Sequence, residues 1–117
     1  MDTAWQDRAL ATIRDTEKIP LTTDRWSPSQ PKQKAISQAQ ILVHKLASYD
    51  AAADPVIEPT IEGGIEFEWK IGARELNIAI APEGTITLLQ TENSQFCAEK
   101  PLEFAELGAL FQWLANA

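Results

Sequence analysis

Ile65-Glu66-Phe67-Glu68-Trp69-Lys70-Ile71-Gly72-Ala73-Arg74-Glu75-Leu76-Asn77-Ile78-Ala79-Ile80-Ala81-Pro82-Glu83-Gly84-Thr85-Ile86-Thr87-Leu88 occupies the middle of the chain. Its first seven residues alternate strictly between apolar and charged, the period-2 mark of a strand with one buried face. Gly72-Ala73 has the chemistry of a two-residue type II′ loop, with glycine where φ must be positive. That loop sets Lys70 opposite Glu75, Trp69 opposite Leu76, Glu68 opposite Asn77, Phe67 opposite Ile78 and Ile65 opposite Ile80. Apolar residues then meet apolar partners on one face, and an opposite-charge pair falls on the other. A one-residue slip would destroy both.

A second turn agrees with the first. In Ala81-Pro82-Glu83-Gly84-Thr85, proline is preset for a type I turn and glycine suits the left-handed bulge position of a three-residue hairpin loop. Ile80 then faces Ile86, and Ile78 faces Leu88. The pattern predicts strands over 65–71, 74–81 and 85–90 in one antiparallel meander. Phe67, Trp69, Leu76, Ile78, Ile80, Ile86 and Leu88 should be buried, and Glu66, Glu68 and Glu75 exposed.

Upstream, Val56-Ile57-Glu58 is a short strand candidate ended by Pro59, and Gly63-Gly64 marks a turn or bulge. Residues 51–55 read as a connector. Before it, Ala35, Ile36, Ala39, Leu42, Val43 and Leu46 form an apolar stripe at helical spacing. Ile41 falls near the opposite side, among Lys34, His44 and Lys45. Ser27-Pro28-Ser29-Gln30 reads as the start of this helix, with a cap residue and a first-turn proline, and the helix should run to about Tyr49. The three prolines of residues 20–31 predict an ordered loop pinned to the core by Trp26.

The first segment, Thr3 to about Lys18, places Trp5, Ala9, Leu10, Ile13 and Thr16 on one side of a helix. Thr3 and Gln6 have capping-box spacing, and Ile19-Pro20 stops the helix. Downstream, residues 91–100 read as loop and Pro101 as the first turn of a last helix ending near Ala115. Phe104, Leu107, Leu110, Phe111 and Leu114 form its apolar face, with Trp113 off that face. The expected architecture is α+β: an antiparallel three- to four-stranded β-meander packed by two N-terminal helices and one C-terminal helix, in one domain spanning 1–117.

The 117 residues carry a formal charge of −7, unevenly placed. Residues 1–50 hold 7 Lys/Arg against 6 Asp/Glu, and residues 51–117 hold 3 against 11. With no dense basic face, nucleic acid is not an expected partner; the acidic half favours a basic protein instead. The chain lacks a run of 18 apolar residues, so no membrane span is expected. The N-terminus, Met-Asp-Thr-Ala-Trp, has acid where a signal peptide needs base, and Cys97 is the one cysteine, so the expected location is the cytoplasm.

The residues carry little recognisable chemistry. His44 is the one histidine, and one Cys with one His is not a zinc set. Cys97 has Glu92 and Glu99 nearby in sequence, the wrong neighbours for a nucleophile. Gly63-Gly64 lacks the lysine and the following helix of a phosphate loop. Glu66 and Glu68 project from one strand face with Glu75 on the next strand. Such carboxylates can do acid–base work or hold a cation, but alternating glutamates also simply keep an exposed strand soluble. Four tryptophans are a rich complement: Trp5 and Trp69 lie on core faces, while Trp26 and Trp113 do not. No catalytic, cofactor or metal residue is assigned.

Residues 55–69, Pro-Val-Ile-Glu-Pro-Thr-Ile-Glu-Gly-Gly-Ile-Glu-Phe-Glu-Trp, fit the pattern P-x-I-x-P-T-x-x-G-G-I-x-x-E-W. With the hairpin that follows, a turn like Pro82-Glu83-Gly84 and the amphipathic helix upstream, residues 31–90 resemble a family of small uncharacterised bacterial proteins, cyanobacterial ones among them. The resemblance implies the same helix-plus-meander fold and a bacterial accessory protein. It transfers no catalytic residues.

Two kinds of function compete at this level. The first is a non-enzymatic protein–protein interaction module, antitoxin-, immunity- or adaptor-like, using Ile41, Trp113, Glu66, Glu68 and Glu75. The second is a small carboxylate-based enzyme or cation-binding protein using the three glutamates. A homodimer closed through a sheet edge or helix face is a further possibility.

Overall fold

The computed structural model describes residues 4–19, 29–49 and 54–116. Its elements are α1 (Ala4–Asp15), continued by a 3₁₀ turn (Thr16–Lys18), α2 (Gln33–Leu46), β1 (Val56–Pro59), β2 (Ile65–Ile71), β3 (Arg74–Ile80), β4 (Ile86–Glu92), β5 (Gln95–Pro101), a second 3₁₀ turn (Phe104–Glu106) and α3 (Leu107–Ala115). The strands form one antiparallel sheet in the order β1-β2-β3-β4-β5. The fold is α+β, with five strands where three or four were expected.

Both central hairpins have the expected register. Lys70 pairs with Glu75, Trp69 with Leu76, Glu68 with Asn77, Phe67 with Ile78 and Ile65 with Ile80. Ile80 pairs with Ile86, and Ile78 with Leu88. Gly72 and Gly84 take the positive φ values that their turns require, 58° and 98°. One face of the sheet carries Ile65, Phe67, Trp69, Leu76, Ile78, Ile80 and Leu88, all buried, with Ile86 half-buried at its rim. The helices cover this face. α1 contributes Trp5, Ala9 and Ile13, α2 its whole apolar stripe, and α3 Leu107, Leu110, Phe111 and Leu114. Trp69 joins sheet to helix, its ring 5.0 Å from that of Phe111 at an interplanar angle of 81°, a favoured edge-to-face geometry.

Three expectations need correction. Residues 95–101 are not loop: Asn93 and Ser94 both have positive φ, 54° and 63°, and make a tight two-residue turn into β5. The Asn93 amide donates to the Ala73 carbonyl, tying this turn to the tip of the neighbouring hairpin. β5 escaped notice because it is an edge strand, exposed along nearly its whole length, with a register shift opposite Gln90/Thr91. Neither face is buried, so no clean alternation exists to read. Pro101 consequently ends a strand, and α3 starts at Leu107 after the 3₁₀ turn.

The third correction is the start of α2. It begins at Gln33, with Lys32 extended before it. Ser29 does not enter a helix: its amide donates to the Thr60 carbonyl and its hydroxyl to the Ile61 carbonyl. Pro31 disfavours α geometry at Gln30, and the tertiary bonds to residues 60–61 hold the chain extended. Ser27, Pro28, Trp26, Thr3 and most of the 51–55 connector lie outside the described residues.

Candidate functional site

All three described helices lie on one side, so among the described residues the opposite face of the sheet has no second layer. The β1–β2 register sets Glu58 directly across from Glu66, and Val56 across from Glu68. Residues two apart on a strand share a face, so Glu58, Glu66 and Glu68 form one acidic patch. Like charges directly opposite on a sheet are normally unfavourable. Among the described residues, none of the three receives an ion pair or a side-chain hydrogen bond. Glu66 registers the strain. Burial, and then the negative charges of Glu68 and Glu58, raise its carboxyl pKa above the ordinary value. Glu66 and Glu68 are half-buried rather than fully exposed.

Beside Glu66 the face is concave. A groove of about 400 Å³ is floored by Ala79 and Thr87 and walled by Ile61 and Pro82, with Glu62 and Glu66 on its lining. Ile61 is 48% exposed there. The Ile61 wall is held firmly. The Thr60 amide donates to the Gly64 carbonyl, the Gly64 amide to Thr60 Oγ1, and the Lys32 amide to the Gly63 carbonyl. Gly64 permits this closure, since a Cβ there would lie 2.2 Å from the Ile80 carbonyl oxygen. The Pro82 wall is the second hairpin turn, closed by Ala81 and Thr85 and braced where Gln38 Nε2 donates to the Gly84 carbonyl.

The other expected site residues lie elsewhere. Glu75 shares the outer face but is paired with Lys70 at 3.5 Å. Ile41 is 44% exposed on α2, on the helical side of the molecule, away from the glutamates. Trp113 is half-buried and packed against the core. The Arg74 guanidinium sits 5.0 Å over its ring, donates to its carbonyl oxygen and is paired with Glu92 at 2.7 Å. The Trp113 ring is therefore stacked under a cation.

Sequence reasoning missed Glu58, Glu62 and Ile61. Alternation along 56–58 could have flagged Glu58, but only the β1–β2 pairing, made across a loop with no simple hairpin signature, sets it against Glu66. His44 borders a separate cleft between α1 and α2, of about 440 Å³, with Asp7, Leu10, Arg14 and Gln40. Among the described residues, no three His, Cys, Asp or Glu side chains gather where they could hold a metal ion, and no helix is long and apolar enough to cross a membrane. No protein-family model, curated protein or solved structure matches the chain.

Proposed function

We propose that this protein is a non-enzymatic interaction module that presents the outer face of its sheet to a basic protein partner. The observation that supports this reading is the patch of Glu58, Glu66 and Glu68, three carboxylates that, among the described residues, have no covering layer and no ion-paired cation. Ionising Glu66 on this face costs folding free energy, first through its burial and then through the like charges of Glu68 and Glu58, which raise its pKa. A cationic partner would offset the like-charge part of that cost on binding, which gives binding a driving force specific to this face. Lys70 and Glu75 neutralise each other further along, so the unbalanced charge is concentrated over β1 and β2.

The test is affinity capture from the native host, followed by measured binding of the identified partner to wild type and to a Glu58→Gln/Glu66→Gln/Glu68→Gln variant. The reading expects a basic partner, weaker binding by the variant, and binding that weakens as salt rises past the point where the Debye length falls below roughly 8 Å. A partner held equally well by the folded variant, without salt dependence, would refute it. Ile41→Asp serves as the parallel control on the helical side.

A further inference from the structure

The groove beside Glu66 combines two chemistries that one kind of side chain satisfies together. Its walls, Ile61 and Pro82, are apolar, and its floor at Ala79 and Thr87 is small. Its lining also carries Glu62 and Glu66, which among the described residues have no cationic partner. A purely apolar guest would leave the carboxylates facing hydrocarbon, and a bare inorganic cation would leave the walls wet. A lysine side chain fits both features: its four-carbon stem can lie along an apolar wall while its ammonium stays at the carboxylates. A guanidinium favours forked contact with one carboxylate, whereas the ammonium is a compact charge with three rotatable donors that two separate glutamates can share.

We propose that this groove is the docking pocket for a lysine side chain of the partner. The inference rests on the reading of the outer face as the docking surface for a basic protein. Both walls are hydrogen-bonded in place. The 60–64 loop is tied to Ser29 and Lys32, and the 81–85 turn to Gln38, so little ordering remains to oppose binding.

The experiment is a ¹⁵N–¹H NMR titration of the intact protein with a peptide of alternating glycine and lysine, and with the same peptide acetylated at every lysine Nζ. The expected result is saturable amide shifts at Ile61, Glu66, Ala79 and Thr87 with the lysine peptide and none with the acetylated one. Glu66→Gln, which removes charge, and Ala79→Leu, which fills the groove while leaving every charge in place, should each weaken binding about fivefold, the scale of one partly exposed ion pair. Ala79 is exposed on its strand, so leucine there has room and the unbound spectrum verifies the fold. Shifts confined to Glu58, Glu68 and Glu75, with Ala79→Leu binding as wild type, would overturn the pocket and leave the acidic docking face standing. Equal binding of both peptides, or of neither, would overturn both.

Discussion

Replacing Phe67 by alanine tests the register on which the sheet depends. Phe67 is fully buried, pairs with Ile78 on one side and Ile57 on the other, and has its ring 6.0 Å from that of Trp69. Truncation removes roughly 100 Å² of apolar surface from burial, worth about 2.5 kcal/mol at about 25 cal/mol per Å². The aromatic contact adds about 0.5–1 kcal/mol, and incomplete collapse of the cavity keeps the cost in the range of about 3–5 kcal/mol. Urea unfolding followed by tryptophan fluorescence measures it, with the slope against denaturant unchanged. Melting should fall by roughly 10–20 °C on the scaling for a domain of about 100 residues. Neighbouring Glu66→Gln, one residue along and on the opposite face, should show no loss. A cost below about 1 kcal/mol for Phe67→Ala, or an equal cost for Glu66→Gln, would refute the facing of β2.

Gly64→Ala should destabilise by more than about 2 kcal/mol, because the added Cβ meets backbone rather than a movable side chain; a wild-type melting curve would contradict the close packing of the 60–64 loop on β3. Glu66 has a folded-state pKa above its ordinary value, so its ionised form opposes folding at neutral pH, and that penalty is relieved as pH falls from the raised pKa through the ordinary carboxylate range. Glu66→Gln should therefore equal or exceed wild-type stability at pH 7, with the difference closing in acid; urea melts at pH 7 and pH 3 check this, and a variant weaker than wild type at pH 7 is the contrary result. Arg74→Ala should cost about 1–3 kcal/mol through loss of the Glu92 pair and the Trp113 contacts, together with a change in tryptophan emission. Ser29→Ala, which removes the hydroxyl bond to the Ile61 carbonyl, should cost about 1 kcal/mol and shift the amide resonances of residues 60–64.

Legibility followed periodicity. The stripe on α2 and the alternation in β2 and β3 are repeated local signals, and burial follows them except at Ile71, which is exposed at the end of β2. Gly72 and Gly84 announce turns whose loop lengths set register without any knowledge of the rest of the chain. The candidate site was half legible. Glu66 and Glu68 share a face by strand geometry alone, but their companion Glu58 arrives through a pairing across the 60–64 loop. Helical spacing shows that Trp113 leaves the buried stripe, but says nothing of the arginine on a distant strand that comes to cover it.

By itself, then, the sequence determined the meander from 65 to 90, the buried face of that meander and the three helices whose apolar stripes must cover it. These follow from local rules: period 2 or 3.6, turn chemistry and the acidity of the second half. The tertiary structure alone decided the fifth strand, the late start of α2 and the groove. β5 forms because β4 offers it a backbone edge to bond, although its side chains gain little burial. Ser29 stays out of a helix because Thr60 and Ile61 take its hydrogen bonds. The groove exists because the loop before β2 and the turn after β3 rise on either side of Ala79, a juxtaposition of residues some twenty positions apart that no local window contains.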